Sequence, residues 1–333
     1  MAGVATPLLA ASVSNAGALG SIGVGATDAV GANSMVREVR SRTDRAFNVN
    51  FFVHRRAEPD LEREALWLEW LAPAFAQFGA EAPTNLRTIY TSLADDPDMI
   101  AMLLESAPPV VSFHFGLPPA DILAALRSRG VYLMATATSL SEARAIEGAG
   151  LDAVIAQGIE AGGHRGMFDP AATDDALGMV ALTRLLVRET NLPVIAAGGI
   201  MDGAGIAAAL DLGATAAQMG TAFVVCPESA ADDAYRTALV GDGAYHTVMT
   251  SLISGRPARA MANRFTELAE QMGSLIPPDY PIAYDAGKAL HAAAKAHGEY
   301  GFGAQWAGQG APLSRPMPAT DLVATLREEL AAF

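Results

Sequence analysis

Short apolar runs alternate with longer amphipathic stretches along most of this chain. Between the runs, apolar residues recur with helical spacing, as in Ser141–Gly148 and Gly203–Leu212, and Gly150 and Gly213 follow where helix-ending glycines are expected. Repeated strand–helix units predict parallel strands joined by helical crossovers. The runs that predict strands are Leu19–Val24, Phe47–Val53, Pro109–His114, Tyr132–Thr136, Asp152–Gln157, Pro193–Ala197 and Thr215–Gly220.

Polar or glycine residues stand at the carboxyl end of nearly every predicted strand. In a (β/α)8 TIM barrel all these ends meet at one face, where the active site lies. A dinucleotide-binding sheet is less well supported, because no G-x-G-x-x-G follows the first strand. The pattern therefore predicts an α/β protein with a TIM-barrel fold. The residues at the strand ends are Asn50, His114, Thr136, Gln157, Gly198, Gly199, Gly220 and Thr221.

The start of the chain predicts a first barrel strand that lies upstream of Met1. Thr6 suits a helix N-cap and Pro7 suits the first helical position. Met1–Gly3 then corresponds to a strand-to-helix loop whose strand is absent. We expect roughly ten further residues upstream, about one strand with its lead-in.

The strand–helix alternation stops after residue 225. From Cys226 to about Tyr300 the pattern predicts helices over Ser229–Leu239, Phe265–Met272 and Asp285–His297. We expect residues 1–225 to form the barrel and residues 226–300 to form a helical insertion that follows the last strand and covers the barrel mouth. Residues 301–333 then return to the barrel and end in an amphipathic helix.

Composition narrows the function further. The net charge is −14 and no run of Lys or Arg occurs, which argues against nucleic acid or an anionic membrane as partner. The single Cys226 excludes an internal disulfide and a metal site built from several cysteines. Residues 1–27 carry no charge, but Pro7 and several glycines interrupt them, and no basic residue precedes the apolar part. We expect a cytoplasmic protein.

The segment Gln157–Gly166 is the first candidate for chemistry. It follows a predicted strand and places Gly162, Gly163 and Gly166 around His164 and Arg165. Glycines in such a loop predict a sharply bent backbone or a close approach to a ligand. Histidine transfers protons readily near neutral pH, so His164 is the candidate acid–base group, the alternative being a structural cap of the loop. Arg165 either orients a phosphate or forms a surface ion pair.

Two further glycine loops, Ala196–Gly203 and Gln218–Thr221, follow the last two predicted strands. Barrels often bind phosphate with these loops, whose exposed N–H groups point toward the anion. Neither loop has the lysine of a nucleoside triphosphate site. A cofactor held through a single phosphate is therefore expected, unless the glycines serve only tight turns.

Taken together, these segments resemble the first class of the nitronate monooxygenase family, FMN-dependent TIM barrels formerly called 2-nitropropane dioxygenases. The resemblance spans essentially the whole chain, and Gln157–Gly166 is its most specific part. The matching segments are Met1–Leu9, Ser14–Gly17, Asn48–Phe52, Ser112–Gly116, Gln157–Gly166, Ala196–Ile200, Gln218–Thr221 and Gly255–Arg259.

The resemblance implies FMN as cofactor, without a metal. It also implies that His164 is the catalytic base and that the backbone of Met1, Ala2 and Gly3 lies near the flavin ring. The residues that would hold the flavin are Asn50, Gln157, Gly162, Gly163, Gly198, Gly199, Gln218, Met219, Gly220 and Thr221.

The implied reaction is the oxidation of an alkyl nitronate by O2 to a carbonyl compound and nitrite. His164 would take the α-proton of a neutral nitroalkane or, when protonated, hold the charge of a nitronate. The alternatives are an FMN-dependent NAD(P)H reductase of a quinone or enoyl thioester, and a flavin-binding protein without catalysis.

The sequence also predicts the location or role of four other side chains. His114, at a strand end, is a candidate for contact with substrate or flavin. Tyr300 and Trp306 either line the substrate site or pack the insertion against the barrel. His54, next to two arginines, is expected to be a solvated loop residue. No protein partner and no oligomeric state is indicated.

Overall fold

The computed structural model describes residues 1–333 as an α/β fold with two sheets. The main sheet is entirely parallel with the order β1-β2-β3-β4-β5-β7-β8, and all seven strands predicted for it are confirmed. The strands are β1 (Gly20–Gly23), β2 (Phe47–Phe52), β3 (Val110–His114), β4 (Tyr132–Ala137), β5 (Ala153–Gln157), β6 (Gly163–His164), β7 (Val194–Ala197), β8 (Ala216–Gln218), β9 (Thr247–Thr250) and β10 (Ala258–Met261).

The predicted crossover helices are confirmed, and the first helix begins as its sequence indicates. Thr6 Oγ1 accepts the N–H of Leu9 at 3.0 Å, and Pro7 is the first helical residue. No helix has the length and apolar character required to cross a bilayer. The helices are α1 (Pro7–Asn15), α2 (Ala29–Arg42), α3 (Leu61–Ala76), α4 (Pro97–Ser106), α5 (Ala120–Arg127), α6 (Leu140–Gly148), α7 (Met179–Glu189), α8 (Gly203–Asp211), α9 (Asp233–Val240), α10 (Arg264–Glu267), α11 (Ile282–Lys295) and α12 (Ala319–Leu330).

The two faces of the main sheet differ in chemistry. Alternate strand residues such as Val111, Leu133 and Val154 are fully buried and belong to the core that includes the apolar faces of the crossover helices. The residues between them point to the opposite face, as the two-residue period of a strand requires. That face becomes polar toward the carboxyl ends of the strands, where Asn50 and Gln157 lie. The sheet therefore presents its polar strand ends to one cavity.

The main sheet is open between its first and last strands. β1 pairs only with β2, and β8 pairs only with β7. The eight-stranded barrel and the strand upstream of Met1 therefore stay predictions, while the seven parallel strands are observed.

The insertion is not purely helical, which corrects the sequence interpretation. Residues 226–300 contain α9, α10 and α11, but also β9 and β10, which were not predicted. These strands are antiparallel, and β10 lies between β9 and β6. Strands of four residues show too little periodicity to be recognised, especially when a pairing partner lies about ninety residues earlier.

An earlier part of the chain also contributes to the covering layer. Trp67, Leu71 and Phe75 of α3 share an apolar cluster with Leu290 of α11 and with Phe302. The layer over the site is therefore built from two segments that are far apart in sequence. The domain boundaries at residues 225 and 300 stay predictions.

Two glycine substitutions test the packing of α1 on β1. A Cβ at Gly20 would lie 1.8 Å from the Ala10 carbonyl oxygen, whereas a Cβ at Gly148, at the end of α6, meets nothing within 4 Å. We expect Gly20→Ala to lower the free energy of unfolding by at least about 2 kcal/mol, because helix and strand must separate. Gly148→Ala, the control, should raise it by about 0.5–1 kcal/mol. Denaturant unfolding measures both; equal stability of Gly20→Ala and the parent would contradict this packing.

Candidate active site

All residues predicted for the site line one cavity at the carboxyl ends of the main-sheet strands. Its volume is about 1040 Å³, near the upper end for ligand sites, and suits a cofactor together with a small substrate. The binding roles of the lining residues stay predictions. The residues are Met1, Ala2, Gly3, Asn50, His114, Gln157, Gly162, Gly163, His164, Gly198, Gly199, Gln218, Met219, Gly220, Thr221, Tyr300 and Trp306.

The loop after β5 is held by the last residue of that strand. Gln157 Nε2 donates to the His164 carbonyl at 3.0 Å, and the N–H of Gly166 donates to Gln157 Oε1 at 2.7 Å. Gly163 adopts φ +77°, which favours glycine. A Cβ at Gly166 would lie 2.6 Å from Thr136 Cγ2, so this glycine is required by packing. The loop is therefore a rigid turn, and both polar ends of the Gln157 amide are engaged in it.

Arg165 is a buried clamp, which neither sequence alternative described. Its side chain is 1% exposed and forms two hydrogen bonds with Asp174, at 2.8 and 3.0 Å. It also donates to the Gln157 carbonyl. The Arg165 hydrogen bonds hold the pKa of Asp174 below its usual value. Arg165 thus fixes the back of the loop and points away from the cavity, which it does not line.

His114 reaches the site, but its ring is occupied by the protein. The His164 carbonyl lies 3.1 Å from His114 Nε2, so that nitrogen carries the proton and donates. His114 Nδ1 then accepts from the Thr136 hydroxyl at 3.0 Å. The ring therefore positions the backbone of His164, and its predicted contact with substrate or flavin stays a prediction.

Aromatic rings surround His164, and those of Trp306, Tyr280 and Tyr284 line the cavity. The ring centroids of Trp306, Tyr280 and Phe115 lie 5.0, 5.2 and 5.7 Å from that of His164. Tyr284 follows at 6.2 Å. The sequence interpretation missed both tyrosines, of which Tyr284 lies in the first turn of α11 and Tyr280 in the turn that precedes this helix. These rings make the surroundings of the imidazole largely apolar.

Burial keeps the imidazole of His164 neutral. Burial and then the charge of Arg256 lower the pKa of His164 to about 3, and His114 likewise has a pKa of about 3. Arg256 is 2% exposed, forms no ion pair with a carboxylate, and lies 4.1 Å above the Phe115 ring. The free site therefore holds a proton acceptor beside a buried, unneutralised cation.

The prediction for His54 was wrong, because this histidine is buried. It is 4% exposed, and its ring lies 5.1 Å from Tyr280 in an edge-on arrangement. Burial, followed by the charge of Arg256, lowers its pKa to about 4. The adjacent arginines suggested solvent, whereas the turn before α11 covers the ring.

The two glycine loops offer free backbone donors. Gly198 and Gly199 adopt φ +117° and +70°, and their N–H groups donate to no atom of the chain; nor does that of Gly220. The start of α8 is not free, because Asp202 and Glu329 accept from its N–H groups at 2.8 and 2.9 Å. An anion would therefore bind to the two loops and not to the N-terminus of α8.

The cavity also contains an unsatisfied polar atom, which belongs to a residue of β2. Asn48 lines the cavity, and its Oδ1 is buried without a hydrogen-bond partner. Its Nδ2 donates hydrogen bonds to the hydroxyl oxygens of Ser112 and Ser21, at 2.9 and 2.6 Å. A buried acceptor without a partner indicates a polar ligand with a donor group. No group of three or more His, Cys, Asp or Glu side chains is arranged to hold a metal.

A further glycine segment closes the site and was missed from the sequence. A Cβ at Gly162 would lie 2.5 Å from the Gly308 nitrogen, and one at Gly310 would lie 2.9 Å from the Gly199 carbonyl oxygen. The N–H of Gly308 donates to Thr221 Oγ1 at 3.0 Å. The segment after Trp306 thus packs against all three glycine loops, and the repeated glycines in Ala307–Gly310 were the available signal.

Comparisons with known proteins agree on one family. The model of the family described as nitronate monooxygenase matches residues 1–329. A nitronate monooxygenase of Paraburkholderia phytofirmans is 61% identical over 330 residues, which cover 99% of this chain and 90% of the relative. A nitronate monooxygenase of Pseudomonas aeruginosa is 55% identical, and the match covers 99% of this chain and 94% of that relative.

Two solved structures with related sequences share this fold. The nitroalkane oxidase of Streptomyces ansochromogenes has a TM-score of 0.90 and 39% identity, with 99% of this chain and 93% of that chain covered. FabK of Thermotoga maritima has a TM-score of 0.75 and 30% identity, and the match covers 100% of this chain and 91% of that chain.

The buried histidines predict a steep loss of stability in acid. The pKa of His54 is about 4 in the folded chain against 6.5 for a free ring, so only the unfolded chain binds a proton between these values. Stability should therefore fall as pH decreases from 6.5 toward 4. His54→Gln should reduce the slope of unfolding free energy against pH by about 1 kcal/mol per pH unit, one proton. The exposed His246, changed to Gln, is the control; equal slopes for both variants and the parent would contradict the buried state of His54.

Proposed function

The chain belongs to the nitronate monooxygenase family, and from that premise we propose that it oxidises alkyl nitronates with O2 to carbonyl compounds and nitrite. The observation that carries the proposal is the place of His164. Its ring lies in the same cavity as the two glycine loops, inside an aromatic wall 5.0–6.2 Å away. The closest wall residue is Trp306.

Members of this family are flavin-dependent enzymes, and we propose that this chain binds FMN. When bound, FMN supplies the electron transfer that the oxidation requires. The free N–H groups of Gly198, Gly199 and Gly220 suit its single phosphate. The unpaired Asn48 Oδ1 and the amide of Asn50 suit the polar edge of a flavin ring, and the cavity is large enough for both cofactor and substrate. The residues therefore fit the cofactor.

His164 is proposed to handle the substrate's proton. In its neutral form it can take the α-proton of a nitroalkane as general base. A nitronate that is already formed places an anion beside the ring, and an opposite charge raises the pKa of a histidine. The protonated ring then stabilises that anion, as the resemblance implied. Tyr300, Trp306 and His114 are proposed to bound the substrate space, because all three line the cavity.

The domain organisation belongs to the same proposal. We propose that residues 1–225 form a (β/α)8 barrel whose wall is the observed parallel sheet, that residues 226–300 form its cap, and that residues 301–333 return to it. The alignment of all strand ends on one cavity supports the barrel, and the β6–β10 pairing supports a cap that contacts the site directly.

Replacing His164 tests its role. We expect His164→Ala to lower kcat/KM for ethyl nitronate by at least about 10²-fold, since both a proton acceptor and a charge partner are lost. The yellow FMN should be retained. Oxygen uptake and nitrite release measure turnover, and the exposed His246→Ala is the matched control. Parent-like turnover of His164→Ala with bound flavin would overturn the assignment.

Two substitutions at one glycine test the phosphate site. A Cβ at Gly220 would lie 3.6 Å from Met1 Sδ, an ordinary contact, so Gly220→Ala should bind FMN nearly as well as the parent. Gly220→Asp adds a negative charge beside the proposed phosphate and should raise the Kd of FMN by more than about 10-fold. Fluorescence titration of the flavin-free protein measures both. Equal affinities for the two variants would contradict a phosphate at this loop.

A further inference from the structure

A serine from the insertion lies directly behind His164. Ser254 is fully buried and does not line the cavity, whereas the ring of His164 does. The β6–β10 pairing brings it there, because Ala258 lies opposite His164 and the N–H of Arg165 donates to the Pro257 carbonyl at 2.8 Å. The turn before β10 is thus held against the loop by backbone hydrogen bonds.

The hydrogen bonds of Ser254 determine which nitrogen of His164 carries the proton. Ser254 Oγ lies 2.9 Å from His164 Nε2 and 3.2 Å from the Arg256 carbonyl oxygen. A carbonyl only accepts, so the single hydroxyl proton goes to Arg256, and the hydroxyl oxygen must accept from His164 Nε2–H. The Arg256 carbonyl accepts no other hydrogen bond within the chain. The opposite tautomer would use the hydroxyl proton and leave this carbonyl without a partner.

The hydrogen bonds around His164 leave its Nδ1 without a protein partner. The His164 carbonyl accepts from Gln157 Nε2 and His114 Nε2 at 3.0 and 3.1 Å, which fixes the backbone that carries the ring. His164 Nδ1 makes no hydrogen bond with any group of the chain. Of the four ring nitrogens of His114 and His164, it is therefore the only one without a protein partner.

We propose that Ser254 is a positioning residue that holds His164 as the Nε2–H tautomer and so leaves the lone pair of Nδ1 free in the cavity. Without this partner the ring would exchange between tautomers, and the Nδ1–H form presents a donor where an acceptor is needed. This proposal rests on the proposed function in one respect, namely that His164 receives the substrate's proton.

Nitrogen NMR of FMN-loaded protein labelled with ¹⁵N-histidine tests the proposal at a pH where the ring is neutral. Long-range ¹H–¹⁵N spectra distinguish the two neutral tautomers, and the signals absent from His164→Gln identify the ring. We expect the Nε2–H tautomer in the parent protein and in Ser251→Ala, a matched change in the same turn. Ser254→Ala should show the Nδ1–H form or an average of both.

The outcomes separate this proposal from the proposed function. An Nδ1–H tautomer in the parent protein would overturn it without any variant, and an unchanged Nε2–H tautomer in Ser254→Ala would also overturn it. The spectra do not depend on turnover. Parent-like turnover of His164→Ala would therefore overturn the proposed function and leave the tautomer result intact.

Discussion

The antiparallel pairing of Gly163–His164 with Ala258–Arg259 is the contact on which the rest of the site depends. A two-residue strand has little stability of its own, so it requires support from its surroundings. The buried Arg165 and the amide of Gln157 fix one side of it. Arg259 fixes the other side, because its Nε donates to the Ile159 carbonyl at 3.0 Å. Loop and insertion therefore behave as one unit, and His164 cannot shift without both.

A buried cation gives this unit its electrostatic character. Arg256 has no carboxylate partner, and burial lowers its pKa only to about 10, so it stays charged at neutral pH. The Met167 carbonyl and the face of the Phe115 ring offset part of its desolvation. Its charge helps to keep His54 and His164 neutral. For the proposed reaction this arrangement is suitable, because the free site contains a neutral base and a positive potential that favours an anionic substrate.

The sequence predicted the scaffold well and the support of the site poorly, for physical reasons. The strands and crossover helices repeat with regular periods, and the glycine loops are local signals, so the cavity and most of its lining could be anticipated. β6, β9 and β10 are short, and β6 pairs with β10 across about ninety residues, so no local pattern reveals their pairing. The burial of His54 likewise depends on a turn more than two hundred residues later, since Tyr280 covers its ring. Ser254 lacks any local signal, because only the β6–β10 pairing places it behind His164.

Oxidation of nitronates, and not nicotinamide-dependent reduction, is the activity that we propose for this cavity. The most direct test is the anaerobic visible spectrum of the flavin-loaded protein, recorded before and after addition of propyl-2-nitronate and, separately, of NADH. The nitronate should reduce the flavin and change its absorbance, whereas NADH should leave the absorbance unchanged. Bleaching by NADH, with no change on addition of the nitronate, would contradict it.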